Sequence, residues 1–82
     1  MIYSTHMLRH LRAQIGENIH RARAEKRLLL RKVAASSGIP EGLIDRYELG
    51  KNEIRLDELL RIACVLDIRI GALIDAHFRP PP

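Results

Sequence analysis

Arginine supplies most of the reactive chemistry in this 82-residue chain. Eleven of its fourteen basic side chains are Arg, against ten Asp and Glu, for a formal charge of +4. A guanidinium is a planar fork of donors suited to phosphate oxygens and to the edge of guanine. Residues 1–32 carry eight basic and two acidic groups, an excess of +6. Residues 33–50 carry Arg46 against Glu41, Asp45 and Glu48, and residues 51–82 carry five of each sign. The basic excess is therefore N-terminal.

Other chemistries lack their partners. His6 and His10 are four apart, as two metal ligands on one helical face would be, yet no Cys or carboxylate accompanies them. They are expected to be surface histidines. His20 and His77 have no partner spacing. Cys64 falls in an apolar stripe and is expected to be a small buried hydrophobe, not a nucleophile. With no Gly-rich phosphate loop, Ser/His/Asp set or paired-carboxylate helix, neither an enzyme nor a metal, cofactor or small-molecule ligand is expected.

Composition narrows the class further. The chain is 46% hydrophobic, enough for one folded core and too short for two. One Cys excludes an internal disulfide, and 4% aromatics argue against a β-barrel and a base-stacking surface. No apolar run approaches a membrane span or the core of a signal peptide. A cytoplasmic protein without membrane contact is expected.

The elements that position these side chains are helical. Leu8, Leu11, Ile15, Ile19 and Ala22 recur at threes and fours, predicting one face of an amphipathic helix that Ser4 or Thr5 can cap. Gly16 inside that pattern predicts another element packed close by. Leu30 to Ser37 predicts a short second helix, with Val33 and Ala34 inward and Gly38 as a left-handed cap. Ile39-Pro40 opens a third, with Ile44, Tyr47 and Glu48 on its inward side and Gly50 ending it. Leu56, Leu59, Leu60, Ala63 and Leu66 predict a fourth, with Asp57 and Glu58 suiting its N-terminal dipole. Ile70 to His77 predicts a fifth. Residues 1–10 read as an N-terminal extension or the start of the first helix, 11–78 as the domain, and 79–82 as a disordered Pro-rich tail. The expected fold is all-α.

The stretch 29–48 has the form of a helix, a tight Gly-containing turn and a second helix. Ala34 is small where the helices cross, Gly38 lies in the turn, and Val33, Ile39 and Ile44 are aliphatic. This is the helix-turn-helix arrangement, whose second helix can enter the DNA major groove.

At these residues the chain resembles the Cro/lambda-repressor type of helix-turn-helix family, also called the xenobiotic-response-element family. The resemblance runs from about Ile15 to Ile74. Its marks are Ile15-Gly16-Glu17 with Ile19 and Arg23, Val33-Ala34, Gly38-Ile39, Tyr47-Glu48-Leu49-Gly50-Lys51, and Leu56 through Leu66 with Ile68 and Leu73. It implies a five-helix lambda-repressor-like domain, DNA binding through the third helix, and usually a homodimer. It also implies a structural ion pair between Arg23 and Glu48.

The departures shape the functional expectation. Leu29 stands where the family commonly caps the second helix with Ser or Thr, and Leu30 where it commonly has Gln on a phosphate. The outward residues of the third helix, Glu41, Gly42, Asp45 and Arg46, with Leu43 at the margin, sum to −1. In one reading Arg46 reads or clamps DNA, Glu41 or Asp45 accepts from cytosine, and Leu30 or Leu43 touches thymine methyls. Arg31, Lys32, Lys51 and Asn52 then hold phosphates. In the alternative, the fold is kept but that surface binds protein, as an antitoxin-like or adaptor module, with Leu29, Leu30, Leu43 and Leu49 as its apolar part. DNA binding is the expectation. Ile68, Ile70, Ile74 and Phe78 are the expected dimer surface, unless the C-terminal residues fold back to complete a monomer's core. A second regulatory protein is a possible further partner.

Overall fold

The computed structural model describes residues 4–75, and among these it contains five helices and no strand. They are α1 (Thr5–Glu25), α2 (Leu30–Ser37), α3 (Glu41–Glu48), α4 (Leu56–Leu66) and α5 (Ile70–Ile74). Ser4 caps α1, its hydroxyl accepting from the Met7 N–H at 3.1 Å. Gly38 caps α2 in the left-handed conformation, with φ of 73°. Pro40 sits one residue outside α3, at its N-cap.

The core is formed by Ile19 and Ala22 of α1, Val33 of α2, Ile39 of the turn, Ile44 and Tyr47 of α3, Leu59, Ile62, Ala63 and Leu66 of α4, and Leu73 of α5. Every helix thus contributes to one apolar centre, as the periodicity requires. Gly16 is the point of closest approach between α1 and α3. A Cβ there would lie 2.1 Å from the Tyr47 carbonyl oxygen and 2.9 Å from that of Glu48. The C-terminal end of α3 is seated directly on the α1 backbone.

Four expectations need correction. The stripe of α1 does not stay inward over its whole length: Leu8 and Leu11 are 58% and 41% exposed. At 21 residues, about 31 Å long, α1 outruns the shorter helices that cover it. On α4, Leu56 and Leu60 are also exposed, because the buried arc runs through Glu58, Leu59, Ile62, Ala63 and Leu66. Cys64 lies outside that arc and is exposed, not buried. Finally, α5 stops at Ile74, and Asp75 is extended with φ −67° and ψ 122°. His77 lies outside the described residues.

Asn18 accounts for that early stop. It is completely buried, and its side-chain amide donates to the carbonyls of Leu73 at 2.9 Å and Asp75 at 2.7 Å. Gln14 in turn donates to the Asn18 side-chain oxygen at 3.2 Å. Carbonyls at the end of a helix need donors, and here α1 supplies them.

Candidate nucleic-acid interface

The helix-turn-helix unit is built by α2, the turn at Ser37–Pro40, and α3. The Ser37 hydroxyl accepts from the Ile39 N–H at 3.3 Å, and Arg61 of α4 donates to the Ser37 carbonyl at 3.1 Å. The turn is therefore tied down from both sides. After α3, the Lys51 N–H returns to the Arg46 carbonyl at 2.9 Å and Gly50 takes φ of 70°. This closes the helix and directs the next loop back along its outward face.

Glu41, Gly42, Asp45 and Arg46 of α3 are all exposed, and Leu43 is half-buried against the core. Arg46 donates from Nε to the Asn52 side-chain oxygen at 2.7 Å. Two residues expected on DNA are thus brought together, with the loop side chain restricting the guanidinium of the helix. Gly42 has open space where a Cβ would project, so packing does not demand glycine there.

At the start of α2, Leu29 offers no side-chain cap. Arg31 and Lys32 are exposed beside it and, with Arg27, Leu28, Leu29 and Ala35, line an open hollow of about 560 Å³. Three cations beside an uncapped helix N-terminus form a positive surface suited to backbone phosphate. Leu30 and Leu43 pack against the core, whereas Leu29 is 59% exposed. The three leucines therefore do not form one exposed apolar patch.

Behind this surface, α1 holds α3 by an ion pair. Arg23 donates from Nε to one Glu48 carboxylate oxygen at 2.7 Å and from Nη2 to the other at 3.0 Å. Its remaining nitrogen donates to the Leu28 carbonyl at 2.8 Å, so one guanidinium joins α1, α3 and the link before α2. The Glu48 hydrogen bonds hold Arg23 above the usual guanidinium range, against the opposing effect of burial, with Coulombic support from Glu48 and Asp45. His20 adds a contact from its Nδ1 to Glu48 at 3.0 Å. The sequence showed no partner for His20 because the two lie on different helices.

A second link runs from α3 to α4. The buried Tyr47 hydroxyl donates to Glu58, itself largely buried. Burial, then the Glu58 hydrogen bond and charge, push Tyr47 up to about 12. The available signal was the inward placement of Tyr47, since a buried phenol needs a hydrogen-bond partner.

Over residues 19–73 the chain matches the Helix-turn-helix family of the Cro/C1 type. It belongs to that family. Two solved structures share the fold of this Cro/C1-type protein. One is the restriction-modification controller protein C.AhdI from Aeromonas hydrophila, at 26% identity and a TM-score of 0.74, covering 78% of this chain and 96% of that one. The other is the clp gene regulator ClgR from C. glutamicum, at 25% identity and a TM-score of 0.74, covering 77% and 82%. No curated protein matches the chain. Family and neighbours together place it among DNA-binding transcriptional regulators, which are not typically enzymes.

Among the described residues no helix is long and apolar enough to cross a membrane. His6 and His10 are exposed, and no group of three or more His, Cys, Asp or Glu among the described residues is placed to hold a metal ion. Ile68 and Ile70 are half-buried against the core and Ile74 is 39% exposed. Phe78 lies outside the described residues.

Proposed function

We propose that this protein is a sequence-specific regulator that binds a two-fold-related operator as a homodimer. Its α3 helices enter successive major grooves about 34 Å apart. Arg46 contacts a guanine edge or a phosphate, Glu41 or Asp45 accepts from cytosine N4, and Leu43 lies at the margin of the contact. Arg31, Lys32, Lys51 and Asn52 hold the backbone, and Leu30 supports the start of α2. The dimer forms through Ile68, Ile70, Ile74 and Phe78. Activity follows dimer concentration or a second regulatory protein.

The observation that carries this reading is the pairing of Arg46 with Asn52 on the exposed face of α3. A guanidinium held in place over a solvent-facing helix is prepared to meet a base or phosphate with less ordering cost. The packing of Leu30 and Leu43 against the core takes two of the four leucines out of a protein-binding surface and leaves Leu29 and Leu49 exposed, on α2's N-terminal side and at the end of α3.

Fluorescence anisotropy of labelled promoter DNA at two salt concentrations tests the proposal. Sequence-preferring binding that weakens with salt is expected, and Arg46→Ala should reduce the preference by about 1–3 kcal/mol. Absence of binding at low salt would overturn it and favour a protein partner.

A further inference from the structure

We infer that Arg61 of α4 is a positioning residue for DNA recognition: it fixes the turn between α2 and α3, and with it the angle at which α3 is presented. This inference rests on the proposed regulator function and deepens it.

The Arg61 guanidinium joins three groups. Its Nη1 donates to the Ser37 carbonyl at 3.1 Å and lies 3.6 Å from the point where a Cβ on Gly38 would stand, so it covers the turn. Its Nη2 lies between two carboxylates of its own helix, 3.6 Å from Asp57 and 3.8 Å from Glu58. Glu58 uses its other oxygen to accept from the Tyr47 hydroxyl of α3. A polar chain thus runs from the last residue of α2, through Arg61 and Glu58, to the last turn of α3. α4 thereby holds α3 at both ends.

Each link has a physical reason. Ser37 closes α2, where carbonyls lack intrahelical donors and the helix dipole is negative, so a cationic donor suits it. A planar guanidinium donates in two fixed directions at once, which a lysine ammonium does less well. The two carboxylates stand beyond hydrogen-bond length and orient Nη2 by charge.

The consequence falls on specificity. In the proposed complex Arg31 and Lys32 of α2 hold phosphates, whereas Arg46 of α3 reads. The turn sets the offset between the two groups. A loosened turn leaves the phosphate contacts in place and spreads Arg46 over several positions against the base edges. Preference among sequences should fall, and general affinity should not.

Arg61→Met keeps the apolar stem and removes every donor. Circular dichroism melts confirm folding, and Arg61→Gln replaces it should it not fold. Amide NMR spectra of the free protein read the contact directly, because the Gly38 N–H shares a peptide group with the Ser37 carbonyl. The Gly38 signal should shift in Arg61→Met and return toward the parent position in Arg61→Lys. Anisotropy then compares the promoter duplex that the parent prefers with a scrambled duplex of the same composition. Arg61→Met should lower the ratio of the two affinities about tenfold, the equivalent of one base contact. Affinity for the scrambled duplex and the salt slope should stay those of the parent, and Arg61→Lys should recover most of the ratio. An unmoved Gly38 signal, or a ratio kept in folded Arg61→Met, overturns the inference. So does an equal loss on both duplexes with a salt slope lower by about one, which would make Arg61 a phosphate contact. A parent protein without sequence preference overturns the regulator reading and the specificity role with it, and the Gly38 signal still decides whether Arg61 fixes the turn.

Discussion

The Asn18 amide of α1 donates to the Leu73 carbonyl of α5 across 55 residues of sequence, at 2.9 Å and in a completely buried position. The same amide reaches Asp75 at 2.7 Å, so one side chain terminates α5 and holds it on the domain. α5 carries Ile70 and Ile74, and its placement governs the surface proposed for the operator dimer.

Asn18→Ala should therefore act on both folding and association. It leaves two carbonyls without their donor and a void at a fully buried site. A loss of about 2–4 kcal/mol is expected by chemical denaturation. Dimerisation should weaken beyond what that loss of folded protein explains. Unchanged dimer affinity in Asn18→Ala would show that α5 keeps its place without the clamp.

The glycines of α1 and α3 should respond in opposite directions. Gly16→Ala sets a methyl group 2.1 Å from the Tyr47 carbonyl oxygen, where backbone has to move. The midpoint of thermal unfolding should fall sharply, by several kcal/mol in stability terms. Gly42→Ala meets open space on an exposed helical position and should stabilise by up to about 1 kcal/mol. A melting curve unchanged in Gly16→Ala would show that α3 can move away from α1 at little cost.

Arg23→Met tests the clamp behind the reading helix. Glu48 has a side chain only 5% exposed, and removing its cation leaves a nearly buried carboxylate with His20 as its remaining side-chain partner. A loss of about 3 kcal/mol is expected. Because Arg23 is not proposed to touch phosphate, the slope of log affinity against log salt should stay that of the parent protein. A reduced slope would assign Arg23 to DNA and not to the clamp.

Alkaline pH should loosen the α3–α4 contact. Tyr47 is pushed up to about 12 in the folded protein, from an ordinary value near 10. Its phenol is neutral in both states below pH 10, so its contribution is complete there. Between about pH 10 and 12 the unfolded chain ionises first, and stability falls by an amount on the order of 2 kcal/mol. Denaturation midpoints across that range should decline in the parent and lose this component in Tyr47→Phe. Tyr47→Phe should itself cost about 1–3 kcal/mol at neutral pH, because Glu58 loses its donor.

The helix-turn-helix unit is legible in the sequence. Val33, Gly38, Ile39 and Ile44 announce it through local rules: a buried face at helical spacing, a left-handed cap, and aliphatics on both sides of a tight turn. The Arg23–Glu48 pair was expected only through family resemblance, since nothing local joins residues 25 positions apart. The close approach at Gly16 was legible as a need for space, but not the identity of the group that fills it.

Periodicity says which face of a helix is apolar, and this chain declares five helices and their inward faces on that basis. It does not say how far a neighbour extends along that face. Leu8, Leu11, Leu56, Leu60 and Cys64 follow stripes that their partner helices do not cover, so they remain in solvent. Nor can spacing match a polar side chain to a distant acceptor. Asn18 with Leu73, Tyr47 with Glu58 and Arg46 with Asn52 meet only once the helices have packed. Local propensity and solvent partitioning act on each segment separately and can be read in one dimension. Burial extent and hydrogen-bond pairing depend on what the other segments bring, and they are settled by packing in three.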